Sequence, residues 1–310
     1  MCESATAHGR SLPAFRLAHL SDLHLAAEVA PARLSDLPTK RTLSRLAWRR
    51  KRQLHDPAVL AALVDDVKAY DPDHVALSGD LTNFSTPEEF AYARGWLGDL
   101  GGPESVTVSL GNHDALIARG HAARLASLTP WLGDAGEPVF PQVRRRGPMA
   151  LVNLCSALAT PPLMATGRLG EAQIERLDQI LAELAPSGLC RVVMLHHPVG
   201  AGVVSWRKSL TDAPALRAVL ARRGADLVLH GHAHEAVFGA VAGPGEPIPC
   251  LCVPSASAGA PDGGRWHAVE IDPDAPRRGL RVTARAYDAT SRRFVELGRY
   301  RLPAIATPIA

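Results

Sequence analysis

The sequence predicts an α/β fold with much parallel strand pairing. Short apolar runs of strand length alternate with helix-length segments through the first half of the chain. Clusters of metal-binding residue types directly follow several of these runs, and open α/β sheets place their ligands at the carboxyl ends of strands. The chain after residue 234 is a series of short β segments separated by glycine and proline. No internal repeat or linker divides the sequence, so we predict a single domain over residues 1–310.

Helix-start signals support the alternation in the first half. Asp56 and Pro57 are a capping residue and a first-turn proline at the start of a predicted helix, Ala58–Tyr70. Thr86, followed by Pro87 and two glutamates, marks the next helix in the same way. The predicted strands of this half are Phe15–Leu20, His74–Ser78 and Val106–Leu110.

The second half continues the pattern and then becomes mostly β. The predicted helices here are Gly170–Leu184 and Ala213–Arg223. The predicted strands are Ala150–Leu154, Arg191–Leu195, Asp226–Leu229, Ile248–Val253, Trp266–Ile271 and Leu280–Tyr287.

Composition excludes several classes of protein. The net charge of +3 is too small to indicate nucleic-acid binding by itself. The five cysteines lack the spacing of a disulfide framework, which indicates reduced thiols, and Cys250 and Cys252 lie in an apolar strand. The N-terminal residues lack a secretory signal, and no stretch is long enough to span a bilayer. We therefore expect a cytoplasmic protein.

Five clusters of oxygen and imidazole donors follow predicted strands. They are Asp22-Leu23-His24, Gly79-Asp80, Gly111-Asn112-His113-Asp114, His196-His197 and Gly231-His232-Ala233-His234. In an extended backbone, residues i and i+2 point to the same side, so Asp22 and His24 can bind one ion together. A single cluster of this kind is as often structural as functional. Five clusters at five strand ends indicate a metal site.

These clusters resemble the motif series of the calcineurin-like metallophosphoesterase superfamily. The family pattern is D-x-H, G-D-x-x-D/N, G-N-H-D/E, a histidine before a bulky residue and proline, and G-H-x-H. All five motifs occur here in order between Asp22 and His234. In motif style they are most similar to the bacterial branch that contains cyclic-nucleotide phosphodiesterases. The resemblance implies a four-layer αββα sandwich, in which two β-sheets pack face to face with helices outside and the metal site lies at one end.

The resemblance also implies two divalent metal ions and their ligands. It assigns one ion to Asp22, His24 and His234, the other to Asn112, His196 and His232, and the bridging position to Asp80. Nitrogen and oxygen donors of this kind suit manganese, iron or zinc. Such a pair of ions would supply a metal-bound hydroxide for attack on phosphorus in line with the leaving oxygen.

Other polar residues of the clusters have expected roles outside the two ligand sets. By resemblance, His113 stabilises charge on a phosphoryl oxygen or protonates the leaving alkoxide, and Asp114 orients its ring or caps a helix. Asn83 stands where many relatives carry aspartate. We expect His230 to be strand-end structure. His197 either contacts the substrate or fills space.

The substrate follows only in part from the motifs. We expect a metal-dependent hydrolase of small-molecule phosphodiesters, with cyclic nucleotides as one candidate class. One alternative is a pyrophosphate hydrolase acting on nucleotide-linked lipids of the UDP-diacylglucosamine type. Those enzymes carry arginine at the position of His113, which counts against this reading. A phosphomonoesterase is another alternative, and a non-catalytic scaffold is disfavoured because the full set of ligands is present.

Residues 31–56 form a basic insertion between the first two predicted elements. Lys40 to Arg52 contains seven basic residues together with an apolar helical face. Either this segment is a solvated basic helix, or it is a lid over the active site. As a lid it would use Arg45 and Arg49 to bind substrate phosphate. Contact of the segment with a membrane surface is a further alternative.

Overall fold

The computed structural model describes residues 13–25, 40–42, 44–45, 55–259 and 263–302, which contain two six-stranded β-sheets. The first sheet has the order β12-β11-β10-β1-β2-β3. Its strands are β1 (Phe15–Leu20), β2 (His74–Leu77), β3 (Val106–Val108), β10 (Arg265–Ile271), β11 (Leu280–Asp288) and β12 (Arg293–Arg301). Strands β1, β2 and β3 are parallel, and β10 joins β1 in antiparallel orientation.

The second sheet has the order β4-β5-β6-β7-β9-β8. Its strands are β4 (Gln142–Arg146), β5 (Met149–Asn153), β6 (Cys190–Met194), β7 (Leu227–His230), β8 (Val237–Val241) and β9 (Ile248–Cys252). The four central strands are parallel, and the edge strands β4 and β8 are antiparallel to their neighbours. The predicted α/β class with extensive parallel pairing is confirmed.

Helices cover the outer face of each sheet. They are α1 (Pro57–Tyr70), α2 (Pro87–Leu100), α3 (His121–Ala126), α4 (Thr129–Leu132), α5 (Glu171–Leu184) and α6 (Ala213–Arg223). One apolar cluster joins α1 and α2 to the first sheet, and another joins α5 and α6 to the second. A third cluster lies between the sheets, where Leu17 and Val269 of the first share a core with Leu151 and Val192 of the second. The predicted αββα sandwich is therefore confirmed.

The predicted helix starts are also present. Asp56 accepts a hydrogen bond from the backbone of Ala58 at 2.8 Å, with Pro57 in the first turn. Thr86 and Glu89 form a reciprocal capping box at the start of α2. None of the described helices is long and apolar enough to cross a membrane.

Strand β4 was not among the predicted elements. Its sequence, Gln142–Arg146, carries three arginines and lacks the apolar run of a typical strand. Arg144 is nevertheless buried, because its guanidinium donates hydrogen bonds to the backbone carbonyls of Pro103, Pro130 and Gly133. The strand lies at a sheet edge, so pairing with β5 on one side is sufficient to fix it.

Candidate active site

The parallel strands bring the five predicted clusters to one end of the sandwich. Five predicted ligand residues in these clusters have a backbone conformation in the left-handed region, with positive φ. They are Asp22 (φ 54°), His24 (φ 44°), Asp80 (φ 54°), His232 (φ 69°) and His234 (φ 57°). Residues other than glycine rarely adopt this conformation, and such strain concentrates at functional sites. The strained backbone thus coincides with five of the predicted ligand positions.

Two glycines are required by close approach of the backbone to a carboxylate. A Cβ atom at Gly231 would lie 1.9 Å from Ser21 Oγ and 2.4 Å from Asp22 Oδ2. A Cβ atom at Gly111 would lie 2.1 Å from Asp80 Oδ1. Neither glycine has a positive φ among the angles of the described backbone. These two positions therefore require glycine for space and not for a left-handed backbone.

The donor atoms converge on two neighbouring centres. One group is Asp22, His24 and His234, and a second is Asp80, His196 and His232. A third group, His24, Asp80 and His113, shares one residue with each of the other two. Within each group the ligand atoms lie within 4.8 Å of one another. His234 Nε2 lies 3.0 Å from Asp22 Oδ1, and His196 Nε2 lies 3.4 Å from Asp80 Oδ2. His24 Nε2 lies 3.8 Å from Asp80 Oδ2, so the centres are contiguous.

Backbone carbonyls fix the orientation of two histidines. His196 Nδ1 donates to the carbonyl of Ser78 at 2.8 Å, and His232 Nε2 donates to the carbonyl of Lys208 at 3.0 Å. The remaining nitrogens, His196 Nε2 and His232 Nδ1, lie 3.2 Å apart and face the centre. A carbonyl that holds one ring nitrogen of a ligating histidine leaves the other free to bind a metal ion.

The protonation states of four of the donor groups suit a cation. Burial alone would raise the pKa of Asp80, but the neighbouring imidazoles of His196 and His113 hold it well below its usual range. Burial would likewise raise the pKa of Asp22, and His234 lowers it below its usual range. Burial lowers the pKa of His232 to about 3 and that of His24 well below its usual value. Ionised carboxylates and neutral imidazoles are the forms that bind divalent metals, so these four groups suit a cation. Burial would also lower the pKa of His196 and His234, but the carboxylates of Asp80 and Asp22 raise the pKa of His196 to about 9 and that of His234 above its usual value, so a metal ion has to displace a proton from these two rings.

Several donor atoms of the site lack a partner among the described residues. Both ring nitrogens of His24 and Oδ1 of Asn112 are buried without a hydrogen bond. Buried polar atoms are nearly always satisfied, and exceptions commonly mark an ion or ligand site. The carboxylate, imidazole and amide donors match the preferences of manganese, iron and zinc. The residues therefore fit two divalent ions.

His113 is held by the loop after β2. Its Nδ1 donates to the backbone carbonyl of Asn83 at 2.9 Å, and its backbone nitrogen donates to Asp80 Oδ1 at 2.8 Å. The ring stands edge-on to His24, with centroids 4.8 Å apart. Because the carbonyl fixes Nδ1 as the protonated nitrogen, Nε2 is the one left for chemistry.

Asp114 does not orient the ring of His113, so this prediction is wrong. Its carboxylate accepts hydrogen bonds from the backbone nitrogens of Leu81, Thr82 and Gly111, at 3.2, 2.9 and 2.9 Å, and from the Thr82 hydroxyl. These bonds tie the loop after β2 to the loop after β3. Asp114 therefore supports the backbone on which Asp80 lies.

Of the two roles expected for His197, substrate contact or filling space, its contacts fit the second. It is fully buried, its Nδ1 lies 2.8 Å from Ser156 Oγ, and its Nε2 lies 3.1 Å from the carbonyl of Ala165. Its ring packs against His232 with centroids 4.4 Å apart. With both nitrogens engaged, His197 can position His232 but cannot reach a ligand. His230 is also buried, as expected for strand-end structure.

A cavity of about 650 Å³ opens beside the donor groups. Besides predicted site residues, its lining includes His55, Lys208, Glu235, Ser255 and Arg265. The ring of His55 lies 4.5 Å from that of His24, centroid to centroid, and its Nδ1 lies 2.7 Å from Ser257 Oγ. No motif identified His55, because it comes to the site through a bridge between its backbone and the distant Ala258.

Two residues of the basic insertion, Lys40 and Arg41, are anchored beside this cavity. Lys40 Nζ donates to Thr160 Oγ1 at 2.5 Å and to the carbonyl of Met164 at 2.7 Å. The Arg41 guanidinium donates to the carbonyls of Phe84 and Ser85 at 2.9 and 2.8 Å. These two basic groups are therefore engaged with the protein itself.

The next part of the insertion borders the cavity. Ser44 is in its lining, and the Arg45 guanidinium lies 5.5 Å from the centre of the Phe84 ring, which also lines it. Arg49 lies outside the described residues. The lid over the active site stays a prediction.

Comparison with known families now identifies the chain. The family model described as calcineurin-like phosphoesterase matches residues 15–236, which include all five motif clusters. The chain belongs to the calcineurin-like phosphoesterase family. The predicted family is thus confirmed, and with it a metal-dependent hydrolase of phosphoesters.

Individual relatives agree with this assignment. The chain is 29% identical over 266 residues to a probable cyclic nucleotide phosphodiesterase of a Synechococcus strain, covering 83% of this chain and 88% of the relative. A dimetal phosphatase from Danio rerio superposes with a TM-score of 0.54 at 14% identity, covering 92% of this chain and 99% of that one. A purple acid phosphatase from yellow lupin superposes with a TM-score of 0.58 at 12% identity, covering 94% of this chain and 54% of that one. The two structures support the calcineurin-like fold.

Proposed function

We propose that this calcineurin-like phosphoesterase hydrolyses small-molecule phosphodiesters, with cyclic nucleotides as the first class to test. The observation that carries the proposal is the pair of contiguous donor groups that meet between Asp80 and His24 at the edge of the cavity. Support for the substrate class comes from the relative named as a probable cyclic nucleotide phosphodiesterase. A cavity of about 650 Å³ is in the range of small-ligand sites and can hold a nucleotide.

The proposed ligands of the two ions follow the two neighbouring groups of donor atoms. Asp22, His24 and His234 hold one ion, Asn112, His196 and His232 hold the other, and Asp80 lies between them. When bound, divalent ions of the manganese, iron or zinc type neutralise charge on phosphoryl oxygens and lower the pKa of water. The chain itself supplies the fixed geometry, because carbonyls and strained turns hold the donors in place before any ion binds.

His113 is the proposed catalytic group outside the ligand sets. The Asn83 carbonyl holds one proton on Nδ1. In its imidazolium form His113 carries a second proton on Nε2, which it can donate to the leaving oxygen or direct at a phosphoryl oxygen to stabilise its charge. Its proximity to His24 and Asp80 also makes it a geometric candidate for a metal ligand. Metal content separates these two roles.

The cysteine side chains fit the cytoplasmic location that we propose from the sequence. Cys155, Cys190, Cys250 and Cys252 are free thiols among the described residues. Reduced cysteines of this kind are usual in cytosolic proteins.

A substrate panel tests the proposal. The protein is stripped with chelator, reloaded with manganese, and assayed on bis-p-nitrophenyl phosphate, p-nitrophenyl phosphate, cyclic nucleotides and a UDP-linked lipid. We expect chelated protein to be inactive and the loaded protein to turn over diesters fastest. A preference for the UDP-linked lipid would favour a pyrophosphate hydrolase, and a preference for the monoester would favour a phosphomonoesterase. No turnover of any ester by metal-loaded protein would refute the proposal.

His113→Ala tests the catalytic role. We expect both metals to remain bound while turnover falls by about 10²–10⁴-fold, the usual effect of losing a general acid. The loss should be smaller for p-nitrophenolate, because this leaving group needs no protonation. His121→Ala, at the start of α3, is the matched control and should retain activity. Loss of metal from His113→Ala would instead make His113 a ligand.

A further inference from the structure

The two most exposed large hydrophobic side chains of the described residues lie on neighbouring loops. Leu163 is 84% exposed and Trp206 is 69% exposed. The loops pair directly, since the backbone nitrogen of Ala165 donates to the carbonyl of Arg207 at 2.8 Å. Ala165 and Lys208 line the active-site cavity. The two apolar side chains therefore stand at the rim of that cavity.

Both loops combine apolar tips with positive charge. The tips are Pro161-Pro162-Leu163-Met164 and Val203-Val204-Ser205-Trp206. Residues 156–170 and 197–211 contain no aspartate or glutamate, but they contain Arg168, Arg207 and Lys208, all exposed. The Arg207 guanidinium lies 5.3 Å from the centre of the Trp206 ring. Two paired loops that carry tryptophan, leucine and basic side chains and contain no acidic residue complement an apolar boundary that carries negative charge.

Lys40 of the basic insertion contacts one of the same loops. Its ammonium group holds Thr160 and Met164, which flank Leu163 in the sequence. The ammonium group fixes the loop that presents Leu163, so that this side chain stays exposed.

We propose that this rim is a docking surface for the anionic headgroup region of a phospholipid bilayer. Leu163 and Trp206 enter the boundary between headgroups and acyl chains, and Arg168 and Arg207 contact lipid phosphates. The active-site cavity then opens towards the membrane surface. The inference rests on exposure and charge at the rim, and it holds whichever phosphoester the active site hydrolyses.

Vesicle sedimentation of the metal-loaded full chain tests the proposal. Vesicles of phosphatidylcholine alone are compared with vesicles that also contain phosphatidylglycerol. We expect binding to the anionic vesicles, weakened about ten-fold or more in the double variant Leu163→Ser/Trp206→Ser, because the buried apolar area sets the strength of interfacial binding. Arg168→Gln and Arg207→Gln should each weaken it by about five-fold, and this difference should disappear at high salt.

The control is Val295→Ser/Leu297→Ser, which removes two exposed apolar side chains from β12. It should bind vesicles like the parent. All variants should hydrolyse bis-p-nitrophenyl phosphate like the parent, which shows that they are folded. Absence of binding to anionic vesicles, equal binding to both vesicle types, or unchanged binding of Leu163→Ser/Trp206→Ser would each overturn the proposal. The last two outcomes would point to a different contact, and the first to a protein partner for the rim.

Discussion

Asp80→Asn tests whether one carboxylate serves both metal ions. Asp80 Oδ2 lies 3.4 Å from His196 Nε2 in one donor group and 3.8 Å from His24 Nε2 in the other. Asparagine keeps the shape of the side chain and an oxygen for the His113 backbone nitrogen. It removes the negative charge that both ions would share, so we expect both affinities to fall together.

The magnitude follows from the linkage between metal binding and unfolding. An ion present at 100 times its dissociation constant stabilises the folded state by about 2.7 kcal/mol, so two ions contribute about 5 kcal/mol. For a chain of this size, each kcal/mol raises Tm by about 2 °C, which gives a metal-induced rise of about 10 °C in the parent. Asp80→Asn should show less than half this rise. Comparing stripped and loaded samples of the same variant cancels any effect on the metal-free fold.

The assay is thermal unfolding of chelated and manganese-loaded samples, with metal content measured in parallel. Asp226→Asn is the matched control, because Asp226 is a buried carboxylate that pairs with Arg191 and Arg277 away from the site. It should lower Tm in both states and leave the metal-induced rise unchanged. A full metal-induced rise in Asp80→Asn would refute the bridging assignment.

Three further predictions concern packing, substrate binding and pH. Gly231→Ala should lower metal content and activity, because the added Cβ would displace the carboxylate of Asp22. Gly245→Ala has open space around its Cβ and should behave as the parent, so equal behaviour of the two variants would contradict this prediction. Arg45→Ala/Arg49→Ala should raise KM for anionic substrates at low salt without changing metal content, and unchanged kinetics on every substrate would make the insertion a solvated surface. Burial lowers the pKa of His74 to about 3, whereas the unfolded-state value is about 6.5. Below pH 6.5 the unfolded chain therefore binds more protons than the folded one, and the free energy of unfolding decreases as the pH is lowered. Between pH 7.5 and 5.5 the loss from this group is about 1.4 kcal/mol, and urea unfolding of metal-free His74→Gln should show a correspondingly smaller pH dependence.

The sequence predicted most of the fold because its signals are local. Asp56 and Thr86 occupy cap positions whose hydrogen bonds reach only two or three residues along the chain. In strands such as Phe15–Leu20 every residue except Arg16 is buried, so the predominantly apolar run stands out in the sequence. Strand β4 escaped detection because Arg144 is buried through bonds to carbonyls that lie 11 to 41 residues away. Long-range satisfaction of a charged side chain leaves no local pattern.

In the active site, too, only the features with a local sequence signal could be predicted. The clusters were recognisable because each lies within a few residues of one strand end. The supporting contacts were not, since they cross between loops: Asp114 binds the loop after β2, and His197 binds Ser156 and Ala165. His55 reaches the site through Ser257, some 200 residues further along the chain. Adjacency to a ligand in sequence therefore says little about whether a histidine faces the metal centre.

One local signal does extend into the active site. Glu89 was expected only as part of the start of α2, yet its buried carboxylate also accepts the backbone nitrogens of Asn83 and Phe84. The Asn83 amide in turn donates to the carbonyls of His24 and Leu25, both at 3.2 Å, and its own carbonyl holds His113. An ionised aspartate at this position could not donate to those carbonyls, so asparagine suits the strained turn at His24. The capping box of α2 is thus joined through Asn83 to both a proposed ligand and the proposed proton donor.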